Sequence, residues 1–264
     1  LSLSLESLGK MAMGPLRPLY ADSDPAVVFF AARAGIRVGD SLAVDPLAGL
    51  AQVANSPHQI PAIVELGKAQ FAASQMDTLR KLLSQPGELA RVAAYEALLS
   101  LEDALSIRRV RVGDGPQAFF VDIVSSDQKP IIYATQTIQP RLAIIGRDVA
   151  VSRPVFFQMP DQLVVIDARE ATDPLSVYRS IPGDVARFSE TFKVNPSVEA
   201  LVTVLAEPPR RGENGLIRGL GLNYGQVLRV LAPLWERGDI TARRVLEEPI
   251  GIRRASQASP RHAP

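Results

Sequence analysis

The sequence predicts an α+β protein: an N-terminal α-solenoid of helical pairs, an antiparallel β sandwich or barrel, and a C-terminal helical unit. Three observations predict it. Apolar residues recur at helical spacing across residues 1–105, in segments joined by short connections. From Ile107 the hydrophobic period drops to two, the period of strands. Helical spacing returns after Asn195-Pro196. The expected domains are therefore 1–105 helical, 106–194 β-rich and 195–250 helical, with 251–264 a disordered tail of Arg, Ser, Ala and Pro.

Asp24-Pro25 is an N-cap followed by proline at the first helical position, and it opens a helix running to Val38. Gly39-Asp40 stops that helix, and Asp45-Pro46 opens the next, carrying Leu47, Leu50, Ala51 and Ala54. A third helix is expected over residues 59–70 and a fourth over 75–84. Gly87-Glu88 opens a fifth, with Val92, Ala93, Ala97 and Leu101 facing inward. Val28–Asp40 aligns with Arg91–Asp103 at an offset of 63 residues, and residues 58–70 supply an imperfect middle copy. Half that offset is a period slightly above 30, that of two-helix units of the HEAT or armadillo kind; an irregular helical bundle is the other arrangement that fits.

Strand-like runs follow at 107–112, 117–125, 131–137, 141–146, 154–159, 163–168, 176–180 and 187–193. Gly113-Asp114-Gly115-Pro116 is the turn between the first two. No helix of useful length separates these runs, which disfavours a parallel, nucleotide-binding sheet. Asn195-Pro196 then restarts helix through Leu205, and Glu207–Gly221 reads as a loop. Asn223 caps a helix whose apolar face carries Tyr224, Val227, Leu228, Leu231, Leu234 and Trp235. Gly238 stops it, and Asp239 is expected to cap a second short helix, Thr241 to Glu248.

The net charge of +1 argues against nucleic-acid binding as the business of the whole chain. Absence of cysteine excludes disulfides, thiolate catalysis and zinc–thiolate sites. No apolar run reaches the ~20 residues that span a bilayer. The start at Leu1-Ser2-Leu3, without an initiator methionine, is expected of a fragment or processed product. No common hydrolase or metal signature occurs.

His58 and His262 lack partner spacing, and Asp122, Asp127, Asp161 and Asp167 read as strand and turn residues, so no catalytic, cofactor-binding or metal-ligating residue is expected. Gly219-Leu220-Gly221 begins like a dinucleotide fingerprint, but Tyr224 stands where its last glycine belongs and no strand precedes it. Arg237, Arg243 and Arg244 are the candidate interaction residues; Trp235 and Arg237 suit interface anchors, although its place on the apolar face makes core packing the expected role of Trp235. Two short helices with Arg243-Arg244 on the second also imitate a helix-turn-helix, but Glu247-Glu248 end it after about two turns.

Three stretches carry a family resemblance. They are Asp24 to Ala32, Arg141 to Arg147, and Tyr224 to Leu228 with Arg237 to Arg243 and Glu248-Pro249. Together they resemble the C-terminal extension of enlarged members of the flagellar P-ring protein family. The resemblance implies a non-enzymatic structural subunit in the periplasm, self-associating as a ring around the flagellar rod of the basal body, near peptidoglycan. No cofactor, nucleic-acid partner or membrane span is expected from the residues. The family's ring-forming N-terminal domains and cysteine pair are not seen, and no functional residue carries over. A general α-solenoid adaptor that binds another protein is the alternative.

Overall fold

In the computed structural model the described residues are 9–69, 73–136, 139–159, 164–179, 190–211 and 217–247. The chain divides into two compact units, Leu1–Arg108 with Val124–Gln128, and Arg109–Ile123 with Lys129–Pro264. Helices and two main sheets make it a mixed α/β chain.

The first unit is helical. A short helix α1 (Met13–Leu16) and a 3-10 turn (Arg17–Ala21) precede α2 (Pro25–Val38), α3 (Val44–Gln52), α4 (Gln59–Leu66), α5 (Ala73–Leu82) and α6 (Glu88–Ser100). Caps set the boundaries of α2. The Asp24 carboxylate accepts from the Ala26 N–H, and Gly39 ends the helix in the left-handed region at φ 87°. Helices α2, α4 and α6 form one row, and α3 and α5 pack between them from the other side. Small residues permit this spacing. A Cβ on Gly35 would collide with the Tyr20 hydroxyl and stand 2.7 Å from the Ala43 methyl.

The 63-residue offset reappears as bonding. Arg17 grips Asp40 with two hydrogen bonds of 3.0 and 3.2 Å, and Arg80 grips Asp103 with two of 3.1 and 2.7 Å. Each aspartate accepts from the amide two residues on, Leu42 at 3.2 Å and Leu105 at 3.3 Å. Each donates its own N–H five residues back, to Gly35 at 2.8 Å and Leu98 at 3.0 Å. The residue before each has positive φ, Gly39 at 87° and Glu102 at 56°. The same bolt thus closes two helical pairs.

The second unit holds a five-stranded sheet in the order β1-β2-β4-β3-β11 and a four-stranded sheet in the order β5-β6-β7-β8. The strands are β1 (Ile107–Val112), β2 (Phe119–Val124), β3 (Ile131–Ala134), β4 (Arg141–Ile145), β5 (Val155–Gln158), β6 (Val164–Ala168), β7 (Leu175–Arg179) and β8 (Phe192–Val194). Each overlaps one of the eight expected runs; the first residues of the last run, 187–189, lie outside the described residues. Helices α7 (Val198–Ala206) and α8 (Tyr224–Glu236) share one core with both sheets, built on residues such as Phe119, Ile132, Ile166, Leu201 and Leu231. Asn223 and Gln226 form a full capping box at the start of α8. Tyr224 tethers the helix to the ends of β3 and β4, its hydroxyl 2.9 Å from the Thr135 carbonyl and 2.8 Å from that of Arg141; burial raises its pKa.

Two local expectations are corrected. The stretch expected as a second short helix, Thr241 to Glu248, contains a strand, β11 (Arg243–Leu246), which pairs parallel with β3. The helix-turn-helix look disappears with it, and the sheet is not purely antiparallel. Ladder bonds to a strand over a hundred residues earlier outweigh the local capping signal of Asp239. The Glu207–Gly221 loop also contains a small hairpin, β9 (Arg210–Arg211) with β10 (Ile217–Arg218). The tail 251–264 lies outside the described residues.

Candidate functional site: the Trp235–Arg244 cleft

The last turn of α8 and the strand β11 face each other across a cleft of ≈ 310 Å³, lined by Trp235, Glu236, Ile240, Ala242 and Arg244. Local chemistry builds it. Gly238 at φ 79° reverses the chain after the helix, and the Asp239 and Ile240 amides both donate back to the Leu234 carbonyl. Ile240 then bridges to Val151, and the Ser152 amide donates to the Asp239 carbonyl. Arg244, in the second position of β11, sets its guanidinium 5.9 Å from the centre of the Trp235 ring. That is within cation–π reach.

Trp235 is half-buried and packs against the core, while its indole Nε1 is buried without a hydrogen-bond partner. It stands on the apolar face of α8, but its burial is partial. Arg237 lies beyond it. Its Nη1 donates to the Phe156 carbonyl at 2.8 Å, and its Nε stands 3.0 Å from an Asp239 oxygen. Of the three arginines singled out in the sequence, Arg244 stands against Trp235, and Arg237 binds the Phe156 carbonyl and Asp239. Arg243 precedes Arg244 on a strand, so it faces the opposite side of the sheet.

Sequence reasoning missed two exposed apolar residues, Phe156, whose carbonyl Arg237 binds, and Leu246, two residues beyond Arg244 on β11. Phe156 is 58% exposed and Leu246 is 41% exposed. Both sit on edge strands, β5 at the border of the four-stranded sheet and β11 at the border of the five-stranded sheet. A signal existed for Phe156, because adjacent aromatic residues in a strand cannot both face inward. Phe157 takes the core and Phe156 takes solvent, opposite Asp167 on β6.

The other sequence candidates do not converge. His58 stacks on Phe29 at 5.4 Å, just ahead of α4. Asp122 is fully buried under a two-bond grip from Arg109, at 2.8 and 3.2 Å. Asp167 lies 3.7 Å from Arg169, Asp127 belongs to the helical unit, and Asp161 and His262 fall outside the described residues. Among the described residues, no group of three or more His, Cys, Asp or Glu side chains could hold a metal ion. None of their helices is long and apolar enough to cross a membrane. The Gly219-Leu220-Gly221 stretch meets backbone where a fingerprint would meet phosphate. The Gly221 amide donates to the Glu207 carbonyl at 2.8 Å and the Leu222 amide to that of Leu205 at 2.9 Å.

No family model matches the chain, and no curated protein matches it. Among solved structures it is similar to a chain described as "the complex of CpcE and CpcF of phycocyanin lyase from Nostoc sp. PCC7120". Identity is 21%, the match covers 39% of this chain and 68% of that one, and the TM-score is 0.33. The expected function is corrected by this finding. The structure belongs to a lyase, and nothing in the comparisons concerns a flagellum, a P-ring, a basal body, a rod or peptidoglycan. The expectation that the chain is not an enzyme is withdrawn with it, while a TM-score of 0.33 assigns this chain no activity of its own.

Proposed function

We propose that this chain binds another protein, using the Phe156–Trp235–Arg244 face as its contact surface and a short α-solenoid as the body of its helical unit. One observation carries the reading: Arg244 stands against half-buried Trp235 in an open cleft, and Arg237, just past the end of the same helix, ties it to the backbone of exposed Phe156. Tryptophan and arginine are enriched among the residues that dominate binding energy, and aromatic anchors work best beside a pocket. Here the positions are set in advance by α8 and the two strands, which lowers the ordering cost of association. The repeated Arg–Asp bolts support the solenoid, since stacked units of one design extend a surface at constant local cost.

The test is recovery of partners from an extract of the source organism by immobilised chain. The double variant Phe156→Ser with Arg244→Glu is expected to unfold thermally like the wild type, because both side chains are exposed. It is also expected to lose the specific partner by about tenfold or more. Undiminished recovery by the folded variant would remove this face from the binding function.

A further inference from the structure

The five-stranded sheet ends at β11, whose residues Arg243 to Leu246 lie in register with Ile131 to Ala134 of β3. The Arg243 amide donates to the Pro130 carbonyl and the Glu247 amide to that of Ala134, each at 2.9 Å. Arg243, Val245 and Glu247 therefore turn their N–H and C=O groups toward β3, since neighbouring residues of a strand point opposite ways. Arg244 and Leu246 turn theirs outward, and nothing among the described residues hydrogen-bonds these backbone groups. Arg243, Arg244 and Leu246 are exposed, as an uncovered edge requires. The edge strand β5 of the other sheet differs, because Arg237 occupies its Phe156 carbonyl. An uncovered row of alternating donors and acceptors is a template for one more strand.

We infer that β11 pairs antiparallel with β11 of a second copy of this chain, about a two-fold axis at Val245, joining two five-stranded sheets into one. The edge is self-complementary in that register. Arg244 exchanges both backbone bonds with Leu246 of the second copy, and Leu246 does the same with Arg244 of the second copy. Val245 meets Val245 of the second copy across the axis, and Arg243 stands opposite Glu247 of the second copy.

The other registers fail on charge or on backbone. An axis at Arg244 sets two arginines directly opposite each other, which is unfavourable. An axis at Leu246 carries the outward groups of Arg244 past the end of the second β11. An axis between two residues turns the outward groups of one copy against residues whose groups serve β3. Charge thus selects the register by avoiding repulsion while the backbone bonds supply the attraction, so Arg243 needs no spare donor. A foreign strand of one charge sign gains less, since this edge carries Arg243, Arg244 and Glu247. The contact is isologous and closes on itself. It uses the backbone of β11 and not the side chains around Trp235, and so goes beyond the proposed partner binding.

The test uses the purified full chain with no partner present. Sedimentation from about 1 to 200 µM is expected to show a monomer–dimer equilibrium. Leu246→Pro removes an outward N–H that β3 does not use, and proline is tolerated at such edge positions. This variant is expected to unfold thermally close to the wild type and to sediment as a monomer throughout. Because the chain has no cysteine, Val245→Cys places one thiol per copy at the axis. It would form a non-hydrogen-bonded pair with Cα atoms about 4.5 Å apart, within disulfide reach. Oxidation is expected to give a covalent dimer about tenfold faster than in Leu105→Cys. Leu105 is 84% exposed in the helical unit. The crosslink decides the matter if Leu246→Pro does not fold. Phe156→Ser, which removes an anchor of the proposed partner face, is expected to dimerise like the wild type, so failure of that reading leaves this one standing. A wild type that stays monomeric throughout would overturn the inference, as would equal crosslinking at the two cysteine positions. Dimerisation of folded Leu246→Pro at wild-type strength would overturn it too.

Discussion

Asp103→Asn is expected to destabilise the chain by about 2 kcal/mol, and the deficit is expected to vanish in acid. The carboxylate is almost completely buried and held by two hydrogen bonds from Arg80, with the Leu105 amide adding a third. The Arg80 hydrogen bonds, opposed by burial, take its pKa down from 3.8 to about 2. A shift of nearly two units corresponds to about 2 kcal/mol of differential stabilisation of the charged form. The sign follows from the direction. A depressed folded pKa means that the stabilisation is complete above the unfolded value near 4 and is lost as pH falls through about 2. Urea unfolding of wild type and variant across pH 7 to 2 checks it. The gap between them should be constant down to about pH 4 and then close. Asp77→Asn is the internal comparison: Asp77 also pairs with Arg80, at 3.0 Å, but its side chain is 61% exposed. It is expected to cost less than about 1 kcal/mol, as surface pairs do.

Gly219→Ala is expected to cost about 3 kcal/mol or more. Gly219 has φ 87°, which a side chain resists, and an added Cβ would collide with the Pro208 carbonyl oxygen and lie 2.7 Å from that of Glu207. Backbone cannot swing aside as a flexible side chain can, so the strand of chain before α8 must move off the one after α7. That movement would disturb Leu220 and Leu222, both buried in the core, and the 2.6 Å bond from Arg179 to the Leu220 carbonyl. Gly238→Ala provides the contrast. It has a similar φ of 79° but open space around it, so only the conformational term of about 1 kcal/mol applies. Thermal unfolding of the two variants separates collision from conformational cost. Equal losses would mean that the chain gives way at Pro208 without penalty.

Local signals in the sequence reached far into this fold. Asp24-Pro25 and Gly39 bound α2 because caps and left-handed stops act within a few residues. Asn223 with Gln226 bounds α8 for the same reason, and alternation of apolar residues placed the strands. What escaped depends on distant chain. β11 is a strand because β3 offers it a ladder, and nothing between Thr241 and Glu248 announces that partner. The Arg17–Asp40 and Arg80–Asp103 bolts were within reach, since the same offset of 63 relates the arginines and the aspartates. The apolar alignment began at Val28, after the first arginine, and so passed over them. At the cleft, Arg237 and Arg244 were named from composition, whereas Phe156 entered only once two edge strands brought it beside α8.

Site-specific photocrosslinking tests the binding face most directly. A photoreactive side chain is placed at Phe156 or Leu246 on the proposed face, and at Met11 or Leu105, which are 83% and 84% exposed elsewhere in the chain. The proposed function predicts one dominant protein adduct shared by the Phe156 and Leu246 positions, weakened by Arg244→Glu and absent from the Met11 and Leu105 positions. Adducts of equal strength and pattern from all four positions would contradict it.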